Sequence, residues 1–205
     1  MILIGQYDSA FVRRVGIALR LYDLPFTHRP WSVFGDRDRL MAVNPLGSVP
    51  VLLLEDATPL PDSKAILDHL DGLVPAAAQL WPHDRLAALR LTALACGLTD
   101  RFVSLFYERR LHQAPSPVLT DRREAQVRAT LAALEQARAA APGDWLFGSR
   151  LTHADIALAC ALRHLRESLP DLFDVYSLPA LTAHAARAEG LAVFREISQP
   201  FLAPT

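Results

Sequence analysis

The periodicity of apolar residues changes abruptly near residue 72, and this change limits the chain to a two-part architecture. Before it, short apolar runs typical of strands alternate with amphipathic helical patterns in the order βαβαββα. After it, every apolar pattern has helical spacing. Residues 72–83 contain a glycine and two prolines, which interrupt both periods and indicate a linker. The sequence therefore predicts an α/β domain at residues 1–71 and an all-α domain at residues 84–205.

The elements of both parts can be predicted from these patterns. In the first part, the predicted strands cover residues 2–4, 26–31, 49–54 and 58–60. The first predicted helix has one apolar face, made of Phe11, Val15, Ala18, Leu19 and Tyr22, and the next two cover residues 36–42 and 62–70. In the second part, the predicted helices cover residues 85–111, 121–140, 152–169, 178–188 and 191–197. The linker carries apolar residues, so we expect it to pack against the body of the protein.

The charge balance argues against partners that require clustered positive charge. The 205 residues include 21 basic and 22 acidic side chains, for a net charge of −1. Nucleic acids and acidic membrane surfaces attract basic patches, so neither is an expected partner. The longest wholly apolar run, residues 156–162, is far below the roughly 18 residues that a bilayer span requires.

The cysteines, the histidines and the first residues bear on metal binding and compartment. Cys96 and Cys160 lie inside apolar helical patterns and predict neither a disulfide framework nor a metal site. The seven histidines contain no i,i+3 or i,i+4 pair, so no metal is expected. The chain begins Met-Ile-Leu-Ile without a basic segment, which predicts no signal peptide and a reduced, cytoplasmic location.

The first candidate functional motif lies between the first predicted strand and the first predicted helix. Residues 7–15 read Tyr-Asp-Ser-Ala-Phe-Val-Arg-Arg-Val, with Ser9 at the predicted start of the helix. The N–H groups of a first helical turn are unpaired and carry partial positive charge, so they stabilise an anion such as a thiolate. Lowering a thiol pKa by ~2 units requires ~2.7 kcal/mol, which a helix terminus and one or two hydrogen bonds can supply. The alternative is that Ser9 is only an N-cap.

The second motif is the run Asn-Pro-Leu-Gly-Ser-Val-Pro-Val-Leu at residues 44–52. Pro50 enters a strongly apolar strand, where a proline removes a hydrogen-bond donor from the ladder. A cis bond between Val49 and Pro50 would explain this proline and would leave the Val49 N–H and C=O to pair with the peptide backbone of a ligand. An ordinary edge-strand proline is the alternative.

The third motif is the pair Asp62-Ser63 at the start of a predicted helix. Such a terminus presents N–H groups and a hydroxyl, which suit a carboxylate ligand. A simple N-cap is again the alternative.

The three motifs together resemble the glutathione S-transferase family, whose N-terminal domain is thioredoxin-like. Val49 follows Ser9 by 40 residues and Asp62 follows Val49 by 13, and a linker and an all-helical part come after them. The resemblance covers nearly the full chain. In the second part, Thr152 and Asp155 form a capping pattern that is similar to the family's buried capping box, a folding element.

The resemblance implies a catalytic residue. Ser9 stands at the position of the catalytic serine, where the helix dipole acts. Tyr7 is the alternative, because tyrosine-type members use a phenol after the first strand.

The resemblance also implies how glutathione is held. Val49 would bind the cysteinyl backbone beside cis-Pro50, and Asp62 and Ser63 would hold the γ-glutamyl carboxylate and amine. The implied glutathione-binding set is Ser9, Phe11, Ser48, Val49, Pro50, Asp62 and Ser63. The chain departs from the family at position 48, where many members carry Lys, Arg or Gln, so we expect Ser48 to contact the glycyl end weakly.

Three residues on one face of the predicted helix 85–111 are candidates for the electrophile site. Thr99, Val103 and Tyr107 recur at i, i+4 and i+8, so they either line an electrophile pocket or pack within the helical part. Ala10, where the family often has proline, and Phe34 complete the pocket that the resemblance implies between the two domains.

The resemblance implies a glutathione transferase, with glutathione as co-substrate and no metal, that conjugates a small apolar electrophile. It also implies detoxification in the cytoplasm and a homodimer. Two alternatives remain at this stage. One is a glutathione-dependent isomerase or lyase that uses the same site, and the other is a non-catalytic binding or regulatory protein of the same fold.

Overall fold

The computed structural model describes residues 1–174 and 177–203, which form two compact units. The N-terminal unit comprises Met1–Leu80 and the described part of Gly190–Thr205, and the helical unit comprises Trp81–Glu189. The predicted fold class, an α/β thioredoxin-like part followed by a helical part, is confirmed. Residues 175–176 and 204–205 of the predicted domain 84–205 lie outside the described residues.

The N-terminal unit contains one four-stranded sheet in the order β2-β1-β3-β4. Its strands are β1 (Ile2–Ile4), β2 (Thr27–Arg29), β3 (Val51–Leu53) and β4 (Pro59–Pro61). Its first helices are α1 (Ala10–Leu21), α2 (Arg37–Val43) and α3 (Ser63–Gly72). β1 is parallel to β2 and antiparallel to β3, and β4 is antiparallel to β3. The order βαβαββα is the predicted one.

The core of this unit explains why the strands and α1 form where they do. Leu3, Ile4 and Val51 in the central strands are completely buried, as are Val12 and Val15 on the inner face of α1. Each such side chain stabilises the fold by about 1.5–3 kcal/mol relative to an exposed position.

The end of the linker is fixed to the N-terminal unit, as the sequence predicts. Tyr22, the residue after α1, donates its hydroxyl to the buried carboxylate of Asp71 in α3. The same hydroxyl accepts a hydrogen bond from the Leu80 N–H at 2.9 Å. Leu80 itself is buried.

The helical unit contains five helices among its described residues. They are α4 (Arg85–Leu111), α5 (Pro117–Ala139), α6 (His153–Ser168), α7 (Pro170–Asp174) and α8 (Pro179–Glu189). α5 begins four residues before the predicted start at residue 121, because a proline is tolerated at the first helical position, where its missing N–H would be unpaired anyway. No helix in the described ranges has the length and apolar character that crossing a membrane requires.

α6 is held at its start by a buried carboxylate. Asp155 accepts hydrogen bonds from the Thr152 N–H at 2.9 Å, the Thr152 hydroxyl at 2.6 Å and the Leu146 N–H at 2.8 Å. The ring of His184 lies 3.2 Å from the Asp155 carbonyl oxygen through its Nε2. Thr152 and Asp155 therefore form the predicted capping box, and they also tie down the preceding loop.

The C-terminal segment departs from the predicted domain boundary. It carries the last helix, α9 (Ala192–Glu196), and it belongs to the N-terminal unit, whereas the prediction placed it in the helical domain. The buried guanidinium of Arg13 is the physical reason, because it donates to the carbonyl oxygens of Phe194 at 2.7 Å and Ile197 at 2.8 Å.

Candidate functional site

The strand register brings the three sequence motifs to one edge of the sheet. Ile4 in β1 is opposite Val51 in β3, and Val51 is opposite Pro61 in β4. Neighbouring strands lie about 5 Å apart. Because β1 and β4 end at this edge while β3 begins there, residues 5–9, 49–50 and 62–63 all emerge from it. We call this the site edge.

Gly5 allows the first two motifs to meet. Its φ is +125°, a conformation that side chains rarely adopt, and a Cβ at this position would lie 2.5 Å from Val12 Cγ2 and 2.8 Å from Val49 Cβ. Only glycine fits this space. Val49 is therefore packed close to the first turn of α1, one turn from Ser9.

Ser9 occupies the N-cap of α1, as the sequence predicts. Its Oγ accepts a hydrogen bond from the Val12 N–H at 3.5 Å, and the residue is half-buried. A hydroxyl has one proton and two lone pairs, so accepting from Val12 leaves its proton to donate. Ser9 can therefore act as the N-cap and donate a hydrogen bond to a thiolate at the same time.

Tyr7 points away from the start of α1. Its ring stacks on His28, with centroids 3.8 Å apart, and its Cε1 lies 3.0 Å from the position that a Cβ on Gly16 would take. Burial raises the pKa of the Tyr7 phenol to about 12, with Arg20 opposing and Glu196 reinforcing the shift. The ring lies beside the middle of α1.

The loop before β3 is shaped by a residue that the sequence analysis did not single out. Asn44 is buried, its Nδ2 donates to the Ser48 carbonyl oxygen at 2.8 Å, and its Oδ1 accepts from the Leu46 N–H at 3.1 Å. Asparagine commonly bonds the backbone of its own turn, and this was the available signal. The Val49-Pro50 peptide bond is cis, as the sequence predicts.

The third motif presents one exposed carboxylate and one buried hydroxyl. Asp62 is the N-cap of α3, and its Oδ1 accepts from the Lys64 N–H at 2.6 Å. Its φ of +70° is unusual for a residue with a side chain, and such conformations cluster at ligand sites. Ser63 begins α3 and is 3% exposed. Because α1 and α3 both begin at the site edge, two helix N-termini there favour an anionic ligand.

The remaining predicted residues differ in exposure. Ala10 is buried, whereas Phe34 is exposed and Phe11 is half-buried. Thr99 is 2% exposed and donates its hydroxyl to the Ala95 carbonyl oxygen at 3.1 Å, so it packs within the helical unit. Its neighbours on the same face of α4, Val103 and Tyr107, are half-buried, and Ser48 at the site edge is exposed.

The C-terminal segment contacts Tyr7 and Asp8, the residues before Ser9, and no sequence motif predicts these contacts. The Tyr7 N–H donates to Gln199 Oε1 at 2.9 Å, across 192 residues of chain. The Leu202 N–H donates to Asp8 Oδ2 at 3.1 Å. Contacts of such long range leave no local periodicity or spacing to read.

Two family profiles match parts of the chain. The profile described as the N-terminal domain of glutathione S-transferases matches residues 3–78, and the profile of their C-terminal domain matches residues 117–187.

Individual proteins are similar to the chain over different shares of their length. Glutathione S-transferase GstA of Escherichia coli O157:H7 is 33% identical over 132 residues, which is 62% of this chain and 61% of that protein. The chain thus spans less than two thirds of this curated relative. A Methylobacterium radiotolerans glutathione S-transferase in complex with glutathione sulfonate is 28% identical, with a TM-score of 0.90 over 100% of this chain and 97% of that one. Maleyl pyruvate isomerase, a bacterial glutathione S-transferase of the zeta class, is 27% identical, with a TM-score of 0.80 over 99% of this chain and 100% of that one.

Proposed function

The chain belongs to the glutathione S-transferase family, and on that premise we propose that it binds glutathione at the site edge and transfers the glutathione thiolate to a small apolar electrophile. The observation that carries the proposal is the convergence of Ser9, Val49 and the Asp62-Ser63 pair on one edge of the sheet. The structure in complex with glutathione sulfonate supports the choice of ligand, because that protein has the same fold over 97% of its length.

Ser9 activates the thiolate in this proposal. Its hydroxyl donates a hydrogen bond to the glutathione sulfur, while the N-terminus of α1 adds a favourable potential for negative charge. Both interactions favour the charged form, so the pKa of the bound thiol falls below its ordinary value near 8.5. A larger thiolate fraction at neutral pH, together with proximity of the two substrates, accounts for the rate gain.

Ser9 is preferred to Tyr7 as the activating group because of where the two hydroxyls lie. The Ser9 Oγ is at the first turn of α1, bonded to the Val12 N–H. The Tyr7 ring is stacked on His28 and lies beside Gly16 in the middle of α1, away from that first turn.

The peptide part of glutathione is held by backbone and by the two caps. Val49 lies two residues before β3, where its backbone can pair with the cysteinyl unit, and cis-Pro50 fixes this turn. Asp62 takes the γ-glutamyl amine, and Ser63 with the N-terminus of α3 takes the carboxylate. Phe11 and Ser48 complete the proposed set.

The electrophile is expected to be small and apolar. In the N-terminal unit, the residue proposed to contact it is Phe34, whose side chain is exposed, whereas Ala10 is buried. In the helical unit, Thr99 is buried and bonded to Ala95, and the contact of Val103 and Tyr107 with the electrophile stays a prediction. A cytoplasmic location and a role in detoxification are further parts of the proposal and rest on family membership alone.

A second candidate is glutathione-dependent isomerisation on the same site. The similarity to maleyl pyruvate isomerase over the full length of both chains favours it. In an isomerase the thiolate adds to the substrate and is later released, so glutathione is not consumed. A lyase on the same site would likewise begin with attack by the thiolate.

Retention on glutathione-agarose, followed by a screen of electrophiles, tests the proposal. Transferase activity consumes thiol, with an aryl halide as the first electrophile, whereas isomerase activity changes the absorbance of an unsaturated acid without loss of thiol. Retention without either reaction would contradict turnover and identify a binding protein. No retention would contradict the glutathione site itself.

A further inference from the structure

We propose that residues 199–202, the C-terminal clasp, position the Ser9 hydroxyl for thiolate activation, with Gln199 as the positioning residue. This inference rests on the proposed function and adds to it a residue outside the three motifs.

The clasp holds the two residues that immediately precede Ser9. Gln199 Oε1 accepts a hydrogen bond from the Tyr7 N–H at 2.9 Å. At the far end of the clasp, the Leu202 N–H donates to Asp8 Oδ2 at 3.1 Å. The two residues that lead into the N-cap are therefore tied to the clasp, Tyr7 through its backbone N–H and Asp8 through its carboxylate.

The segment that leads into the clasp is anchored to α1. Arg13 is 2% exposed, and its guanidinium donates to the carbonyl oxygens of Phe194 and Ile197 and lies over the Phe194 ring at 5.4 Å. A Cβ on Gly16 would lie 2.8 Å from Ile197 Cγ2, so only a glycine lets the segment come this close to the helix. The segment before the clasp thus has a fixed position relative to the start of α1.

His28 in β2 also holds the loop that precedes Ser9. His28 Nε2 lies 2.7 Å from the Gly5 carbonyl oxygen, and the ring stacks on Tyr7 with an interplanar angle of 9°. A carbonyl can only accept, so Nε2 donates. His28 and Gln199 therefore both constrain the path of residues 5–8.

The direction of the Ser9 hydroxyl follows from this path. The Ser9 N–H donates to the Gln6 carbonyl oxygen at 3.2 Å, and the Ser9 Oγ is 3.5 Å from the Val12 nitrogen, a long capping bond. The cap bond alone constrains the hydroxyl weakly at this length. A shift of ~1 Å in a reacting group can lower a rate by ~100-fold, so the additional support is functionally significant.

Gln199→Ala removes the acceptor for Tyr7 and tests the role directly. We expect turnover to fall about 5-fold, equivalent to ~1 kcal/mol for one hydrogen bond, with little change in the KM for glutathione. The pKa of the bound thiol should rise by about half a unit. Gln199→Glu keeps an acceptor oxygen and should restore both values. Glu196→Gln is the matched control, because it disturbs an exposed ion pair with Arg20 in the same segment and should change neither.

A double variant separates action through Ser9 from a general structural effect. In a Ser9→Ala background there is no hydroxyl to position, so adding Gln199→Ala should lower turnover no further. An equal further loss in that background would overturn the proposal, as would a higher KM for glutathione with unchanged turnover.

Hydrogen exchange of the ligand-free protein gives a readout that does not need catalysis. We expect faster exchange of the Tyr7 and Val12 amides in Gln199→Ala than in the parent or in Glu196→Gln. Unchanged exchange would overturn the clasp, whatever the kinetics. Parent protein that neither binds glutathione nor consumes thiol would contradict the proposed function and, with it, the positioning role. Active parent protein with an equally active Gln199→Ala variant would overturn the positioning role alone.

Discussion

The pKa values of individual side chains in this protein depend on burial as much as on direct partners. His164 in α6 is an example, because its ring packs edge-on against Phe102 and burial lowers its pKa to about 4. Tyr7 shows the opposite direction for an acid, since burial raises its pKa. Both shifts favour the neutral form of the side chain.

The lowered pKa of His164 predicts that stability falls in mild acid. The unfolded chain binds a proton at this residue below its ordinary pKa of 6.5, while the folded protein binds it only near 4, so unfolding takes up a proton between these values. This residue should therefore account for a loss of about 2 kcal/mol in the free energy of unfolding between about pH 7 and pH 5. Urea unfolding at the two pH values measures it.

A pair of histidine variants provides the control. His164→Leu should shrink the difference between the two pH values by about 2 kcal/mol, even if the variant is less stable overall. His83→Gln, which changes an exposed histidine, should leave the difference as in the parent. If His164→Leu retains the full difference, the assignment is wrong.

At the scale of elements, the predicted and observed bounds agree where they depend on residues that are close in the sequence. β1 at Ile2–Ile4 and α4 at Arg85–Leu111 have the predicted bounds. β3 was predicted from residue 49 but begins at Val51, because Pro50 has no N–H to contribute to the ladder.

The convergence of the motifs could be predicted only through the family resemblance. The residue types at Ser9 and at Asp62-Ser63 indicated helix caps, but their common edge depends on pairing between distant strands. The roles of Asn44, Gln199 and the C-terminal segment were missed. Gln199 contacts Tyr7 across 192 residues, and no local period encodes such a contact.

The capping box of α6 gives a prediction about this element alone. Asp155→Ala removes a buried carboxylate that accepts three hydrogen bonds. Two buried N–H groups and one hydroxyl then lose this acceptor. We expect a loss of about 3 kcal/mol in the free energy of unfolding, because each unsatisfied buried group costs about 1–3 kcal/mol.

Chemical denaturation and glutathione binding, measured on the same Asp155→Ala preparation, check this prediction. Glutathione affinity of the folded fraction should match that of the parent, since Asp155 belongs to the helical unit. Parent-like stability with weakened glutathione binding would refute the structural role.

At the scale of the whole molecule, we predict a symmetric homodimer of the 22.6 kDa chain, as membership of the family implies. Leu46 in the loop before β3 is 74% exposed, and Leu86 near the start of α4 is 79% exposed. Single exposed leucines also occur on monomers, so these two positions serve only as probes of the predicted interface.

Light scattering coupled to size exclusion measures this directly. Leu46→Glu and Leu86→Glu should each shift the mass toward the monomer. Val118→Glu changes an equally exposed apolar position in α5, and its mass shows whether that face takes part in the dimer interface. A monomeric mass for the parent at micromolar concentration would rule out the dimer.

Activation of the thiolate by Ser9 is tested most directly by the ultraviolet absorbance of the thiolate in the enzyme–glutathione complex, measured against pH. Ser9→Ala should raise the pKa of the bound thiol by roughly one to two units and lower turnover by ~10- to 100-fold, because one charge-assisted hydrogen bond is lost. Ser9→Thr, which keeps the hydroxyl, should stay near the parent, and Tyr7→Phe should leave the thiol pKa unchanged. A shift with Tyr7→Phe and none with Ser9→Ala would contradict the account and transfer the role to the phenol.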